Sequence, residues 1–186
     1  MEAEKFHSSG TRILGVVGVV SALLIAALVA SDGLEGNDGV AFCLLGFFAV
    51  LMWSAMVRPQ VQLAGDRLTL RQMLDTVSFP LAAVEAVHVR QVMVLRAGGR
   101  KFTSAAVSKP RSQVRKDQRG VARDELMYPN FVEDRILFRS EEARARARLS
   151  RGEVPLDLER AVAWPEIILL VLFGVGFVVL LALSVV

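Results

Sequence analysis

Positive charge is missing from two long stretches of this chain, and that segregation constrains its fold more than any other feature. All 22 Lys and Arg lie within residues 1–12 and 58–160, so Ile13–Val57 and Ala161–Val186 contain none. A water-soluble fold scatters its cations over its whole surface. Ile13–Ala30 and Val40–Val57 are runs of apolar and small residues, and Ile167–Val186 is a third, with Ser184 its only polar residue. Each run approaches the roughly 20 residues that cross a hydrocarbon core about 30 Å thick. The first is too long for the apolar region of a cleaved signal peptide, Ser31-Asp32-Gly33 is a poor cleavage site, and a second run follows at once. Three transmembrane helices are expected, over 13–30, 40–57 and 165–186, the first two forming a hairpin.

Charge also sets the orientation. The loop Ser31–Gly39 carries Asp32, Glu35 and Asp38 and no basic residue, while Arg12 and Arg58 flank the hairpin on its other side. Basic residues stay inside. The N-terminal tail, 1–12, and the whole segment Arg58–Arg160 are therefore expected in the cytoplasm of a bacterial cell, and the C-terminus outside. Arg12, Arg58 and Trp164 are the expected membrane-interface residues, Trp164 as a member of the aromatic belt. Pro165 suits the first turn of the third span, and Glu166 lies at the positive end of its dipole. Arginine outnumbers lysine and alanine is abundant, as in high-GC bacterial genomes.

No ionisable side chain falls in the core of any span. Transporters and pumps mark their pathways with such groups, and a haem held in the bilayer needs axial ligands, commonly His or Met. Met52 and Met56 read as packing residues. The spans are thus expected to anchor the chain and to meet other helices. Gly18, Ala22, Ala26 and Ala30 recur every four residues, with Gly15 nearby, a stripe that lets helices approach closely. Its partner is either another integral membrane protein or the chain's own second span.

Between the spans the pattern shortens. Val61 and Leu63, then Leu68 and Leu70, alternate with polar neighbours around Gly65-Asp66, which predicts a hairpin. Met73–Phe79, Val84–Arg90 and Gln91–Ala97 read as further strands, and Gly98-Gly99 turns the chain into Arg100–Thr103 where positive φ is wanted. An antiparallel sandwich or small barrel over 58–107 is expected. A basic loop follows, 108–129, carrying Lys109, Arg111, Arg115, Lys116, Arg119 and Arg123 against Asp117 in its central run. A helix over 130–151 is predicted, opened by Asn130 with Glu133 at capping-box spacing. Phe131, Ile136, Phe138, Ala145 and Leu149 form its expected apolar side. A linker, 152–164, returns to the membrane.

Groups able to do chemistry are scarce. His7 lies in the tail and His88 faces away from Val87 and Val89. No Cys/His cluster, phosphate-binding glycine motif or nucleophile motif occurs. An enzyme is not expected, nor a bound cofactor or metal. Segment 58–164 holds 20 basic and 13 acidic residues, a surplus of +7. Beside an inner leaflet such a surplus attracts anionic phospholipid by about 1 kcal/mol per well-placed cation, or it serves only to fix topology. The basic loop lacks interleaved aromatics, and a membrane anchor argues against nucleic acid as partner.

Antiparallel strands followed by one helix is the element order of a pleckstrin-homology-like (PH-like) domain. The chain resembles the bacterial PH-domain membrane proteins at Arg58-Pro59-Gln60-Val61, Asp66-Arg67-Leu68-Thr69-Leu70-Arg71, Phe79-Pro80-Leu81-Ala82-Ala83-Val84-Glu85-Ala86-Val87 and Leu95-Arg96-Ala97-Gly98-Gly99-Arg100. The resemblance implies a small cytoplasmic PH-like domain carried on the three spans. In size and layout the chain is also similar to the small association subunits of the respiratory cytochrome bc–cytochrome oxidase supercomplex of high-GC Gram-positive bacteria. That likeness implies a non-enzymatic accessory subunit, with cytochrome bc and cytochrome oxidase subunits as partners and no redox centre of its own. The alternative is a membrane-surface scaffold or sensor that binds anionic lipid or a cytoplasmic protein.

Overall fold

The computed structural model describes residues 4–31, 38–109, 128–148 and 154–185. The chain divides into two compact units, one of Met1–Ser8 with Pro59–Ala161 and one of Ser9–Arg58 with Val162–Val186.

The second unit holds three helices long and apolar enough to cross a membrane: α1 (Ser9–Ser31), α2 (Asp38–Met52) and a C-terminal helix, Trp164–Val185. α2 ends in a π turn, Trp53–Val57, in which the Arg58 N–H donates to the Trp53 carbonyl at 3.0 Å. Such a widened turn displaces the residues that follow it, and Gly15 of α1 packs against Met56 and Val57 there.

The first unit is built on two antiparallel sheets. One contains, in order, β1 (Glu4–Phe6), β2 (Gln60–Ala64), β3 (Arg67–Arg71), β4 (Asp75–Pro80) and β8 (Glu159–Val162). The other contains β5 (Val84–Val89), β6 (Met93–Ala97) and β7 (Arg100–Ser104). Alternation decides which side chains face inward. Val61 pairs with Leu70, Leu63 with Leu68 and Leu68 with Phe79, and all five are buried, while Gln62, Thr69 and Ser78 between them point outward. In the smaller sheet Val87, Val89, Met93, Leu95 and Ala97 supply the inner face. The two inner faces share one core, in which Phe79 stacks on Phe102 with ring centroids 5.0 Å apart.

Both expected hairpin turns carry glycine at positive φ, Gly65 at 59° and Gly98 and Gly99 at 52° and 69°, a conformation that costs glycine little. A Cβ on Gly98 would lie 2.8 Å from the Leu156 Cβ, so the segment preceding β8 crosses this turn at close range.

Helix α3 (Tyr128–Ala147) covers the core through Val132, Ile136 and Ala143. The C-terminal helix Trp164–Val185 is α4. α3 corrects the face expected from the sequence. Ile136 is buried as expected, but Phe131 and Phe138 are 52% and 60% exposed and Ala145 is exposed; Leu149 lies outside the described residues. The row that fits against β5 and the turn Leu81–Ala83 is 132, 136, 140 and 143, and it buries the polar Ser140 and Arg144 with it. Hydrogen bonds satisfy part of this pair: the Ser140 hydroxyl donates to the Leu137 carbonyl at 2.7 Å and the Arg144 Nη2 donates to Ser140 at 3.2 Å, while the buried Arg144 Nη1 has no partner among the described residues. The helix also starts earlier than expected, at Tyr128. The Glu133 carboxylate accepts the Val89 N–H at 3.2 Å, which ties the helix to β5.

Two segments expected as tail and linker contain strands. Glu4–Phe6 pairs antiparallel with β2, Phe6 opposite Val61 and buried. Glu159–Val162 lies beside β4. β1 is followed by α1 after His7 and Ser8, β2 follows Arg58 and Pro59, and β8 is followed by α4 after Ala163. Three of the five strands in one sheet are thus nearly continuous in sequence with a long apolar helix.

Candidate functional site

The apolar helices meet through residues with little or no side chain. Gly15 faces the π turn, where an added Cβ would lie 2.6 Å from the Met56 Cβ and 2.9 Å from Val57 Cγ2. Gly18 faces Met52, with Cγ at 3.3 Å from its virtual Cβ. Ala22 is buried, Ala26 half-buried and Ala30 exposed. The Gly15, Gly18 end of the stripe is therefore taken up by the chain's own second helix, one of the two partners the sequence left open.

A second seam, between α2 and α4, escaped the sequence reading. Gly39 faces Leu180, the Cys43 Sγ lies 3.1 Å from a virtual Cβ on Gly176, and Gly46 faces the Phe173 ring, whose nearest carbon is 2.5 Å from a virtual Cβ. Gly174 faces Phe47 in turn. As the numbers rise along α2 they fall along α4, so the two helices are antiparallel with small residues set against large ones. The available signal was Gly39, Cys43 and Gly46 at i, i+4 and i+7, one face of a helix. Close approach of this kind is how apolar helices associate where no hydrophobic driving force separates them from lipid.

Where α2 gives way to the sheet unit, Arg58 Nε lies 2.9 Å from Glu166 Oε1, with both side chains largely covered. Glu166 thus has a cation partner in addition to the helix N-terminus. Arg12 is exposed and the Trp164 ring belongs to a residue 64% exposed. Of the basic-loop residues, Lys109 is described: it is half-buried, and its N–H donates to the Arg90 carbonyl at 2.7 Å. Arg111, Arg115, Lys116, Arg119 and Arg123 lie outside the described residues.

Within the sheet unit, β1 is fastened to α3 by a two-pronged ion pair. Arg135 Nη2 and Nε donate to Glu4 Oε1 and Oε2 at 2.6 and 3.0 Å. These hydrogen bonds and the guanidinium charge hold the Glu4 carboxyl below its ordinary value of 4.5, against a smaller opposing effect of desolvation. A depressed carboxylate contributes stability above its unfolded pKa and loses it as pH falls through the folded one. Acidification below 4.5 is therefore expected to release β1, seen as faster amide exchange at residues 4–6 and in the facing edge of β2. Glu4→Gln should show that faster exchange already at neutral pH, with no further acid step at those amides. His7 is not in a free tail: its N–H donates to the Tyr128 hydroxyl at 3.0 Å.

His88 projects from β5 with its side chain 70% exposed and Nδ1 3.6 Å from Glu133 Oε1. Among the described residues no group of three or more His, Cys, Asp or Glu is placed to hold a metal ion. What the arrangement offers chemically is helix packing in one unit and charged, hydrogen-bonding surface in the other. Compared with known proteins, the chain matches no family model, no curated protein and no solved structure.

Proposed function

We propose that this chain is a non-enzymatic, multi-pass accessory subunit of a bacterial cytoplasmic membrane complex. In this reading α1, α2 and α4 cross the bilayer and the sheet unit is a PH-like domain on the cytoplasmic side. The observation that carries it is the character of the three apolar helices. They meet one another through glycine and other small residues, place no ionisable side chain in their cores, and leave broad apolar faces bare, α4 above all. Helices of this kind serve as anchors and as packing surfaces for neighbouring helices.

Orientation is inferred from the basic residues, all of which lie on the same side once the spans are threaded through a bilayer. Two antiparallel sheets sharing a core, followed by a covering helix, support the PH-like assignment. The close succession of β1 and α1, α2 and β2, and β8 and α4 gives such a domain several short tethers, as suits a part that braces a complex at its membrane face.

The partner is then another integral membrane protein. Resemblance in size and layout suggests the cytochrome bc and cytochrome oxidase subunits of a respiratory supercomplex. Purification of the tagged full-length protein in mild detergent tests this. Stoichiometric membrane subunits in the eluate, with haem absorbance bands, are expected. An eluate containing this protein alone would contradict the accessory role, and partners without haem would remove the respiratory assignment.

A further inference from the structure

We infer that the outer face of the three-stranded sheet is a binding site for a phosphate group, distinct from the helix seams. Its residues form a concavity of about 350 Å³ lined by Ala86, His88, Arg90, Val94, Arg96 and Lys101. The pleat dictates this assembly: Val87, Val89, Met93 and Leu95 point into the core, so the residues between them share the opposite face. Ala86 lies across from Arg96, His88 across from Val94, and Arg96 across from Lys101. The small Ala86 and the short Val94 form the floor, and the cations rise around it.

The charges on this face are not arranged for folding alone. Like charges directly opposite each other on neighbouring strands are destabilising, yet Arg96 and Lys101 occupy such a pair. Elsewhere on the unit, several arginines hold carboxylates, Arg67 with Asp157 and Glu159, Arg135 with Glu4, Arg146 with Asp66, and Arg160 with Asp75, whereas Arg71, Arg100 and Arg148 hold none among the described residues. Among the described residues, Arg90, Arg96 and Lys101 have no such partner. The nearby acids are engaged by backbone donors, Glu133 at the edge of the hollow. Glu85 accepts the Gly99 N–H at 2.9 Å, and Glu133 accepts the Val89 N–H while standing beside His88.

Two guanidinium forks and an ammonium converging on one shallow hollow suit a group with several anionic oxygens. Arginine binds phosphate through paired N–H donors and lysine as a point charge. A single carboxylate would satisfy one fork and leave the other cations facing each other. The apolar floor accommodates a carbon segment attached to the phosphate. This chemistry fits both a phospholipid headgroup and a soluble phosphate, and it does not depend on which complex the spans join.

Phosphorus NMR titration of the full-length protein in neutral detergent micelles tests the inference, with inorganic phosphate and phosphatidylglycerol as separate probes. The wild type and the control Arg71→Gln, on the other sheet, should bind at least one probe saturably. The double variant Arg96→Gln/Lys101→Gln should bind it about tenfold or more weakly, the loss expected for charge-assisted hydrogen bonds. Saturable binding of phosphatidylglycerol alone would identify a lipid headgroup as the ligand, and binding of inorganic phosphate would identify a soluble one. No saturable binding of either probe, or equal affinity in the wild type and the double variant, would overturn the site.

Discussion

Phe79→Ala is expected to destabilise the sheet unit strongly while leaving the apolar helices formed. Phe79 is fully buried, opposite Leu68 in the register of β3 and β4, and its ring stacks on Phe102 from the facing sheet. Removing a buried phenyl ring costs about 3–5 kcal/mol, because the cavity collapses only in part. A domain of ordinary stability has about 5–15 kcal/mol in all. Hydrogen exchange on the full-length protein in detergent reads the outcome. Amides of β2, β3, β4 and β6 should lose protection together, and those of α1, α2 and α4 should keep theirs. Phe79→Leu, which retains most of the volume, should lose far less. Unchanged protection in Phe79→Ala would mean that the two sheets do not share the core described above.

The second large effect is expected in the other unit. Gly15→Leu places a side chain where even a Cβ would come within 2.6 Å of Met56 Cβ. That distance is well inside van der Waals contact, and the obstructing atom sits next to backbone, so the helices must move apart. Overpacking of this kind costs about 1–3 kcal/mol. Gly18→Leu should be milder, since its nearest obstacle is the flexible Met52 side chain, with Cγ at 3.3 Å. Gly10→Leu is the control, with nothing within 4 Å. Thermal unfolding in one detergent should rank the variants Gly15→Leu least stable, then Gly18→Leu, with Gly10→Leu near the wild type. A Gly15→Leu protein as stable as the control would show that α1 and α2 do not meet at the π turn.

Much of this architecture was legible because it rests on local chemistry. Apolar runs without charge announce the three long helices, and glycines at 65, 98 and 99 announce turns that require positive φ. The strands of β2–β3 and β5–β7 follow from period-two alternation between such turns. β1 and β8 were not legible, because Glu4–Phe6 and Glu159–Val162 are too short to show a period and are held by pairing with strands distant in sequence. The face of α3 was misread for a related reason. Phe131 and Phe138 look like core residues by type. The buried row instead includes Ser140 and Arg144, whose hydrogen bonds exist only in the folded chain.

The candidate surfaces divide in the same way. The Gly15, Gly18 and Ala22 stripe is visible as a repeat, though which helix it meets is not. Its counterpart on α4, Gly174 and Gly176, carries no repeat long enough to single it out. The cation cluster at Arg90, Arg96 and Lys101 depends on strand register, which no single segment encodes.

Cysteine accessibility tests most directly the proposed topology, in which three spans hold the sheet unit on the cytoplasmic side of a membrane. With Cys43 replaced by alanine, single cysteines are introduced at Thr103, exposed on β7, and at Asp38, the first residue of α2. A membrane-impermeant maleimide added to intact cells should label Asp38→Cys at once. It should label Thr103→Cys only after the membrane is permeabilised. Labelling of Thr103→Cys in intact cells, with Asp38→Cys protected, would reverse the orientation. Labelling of both in intact cells would contradict a spanning arrangement.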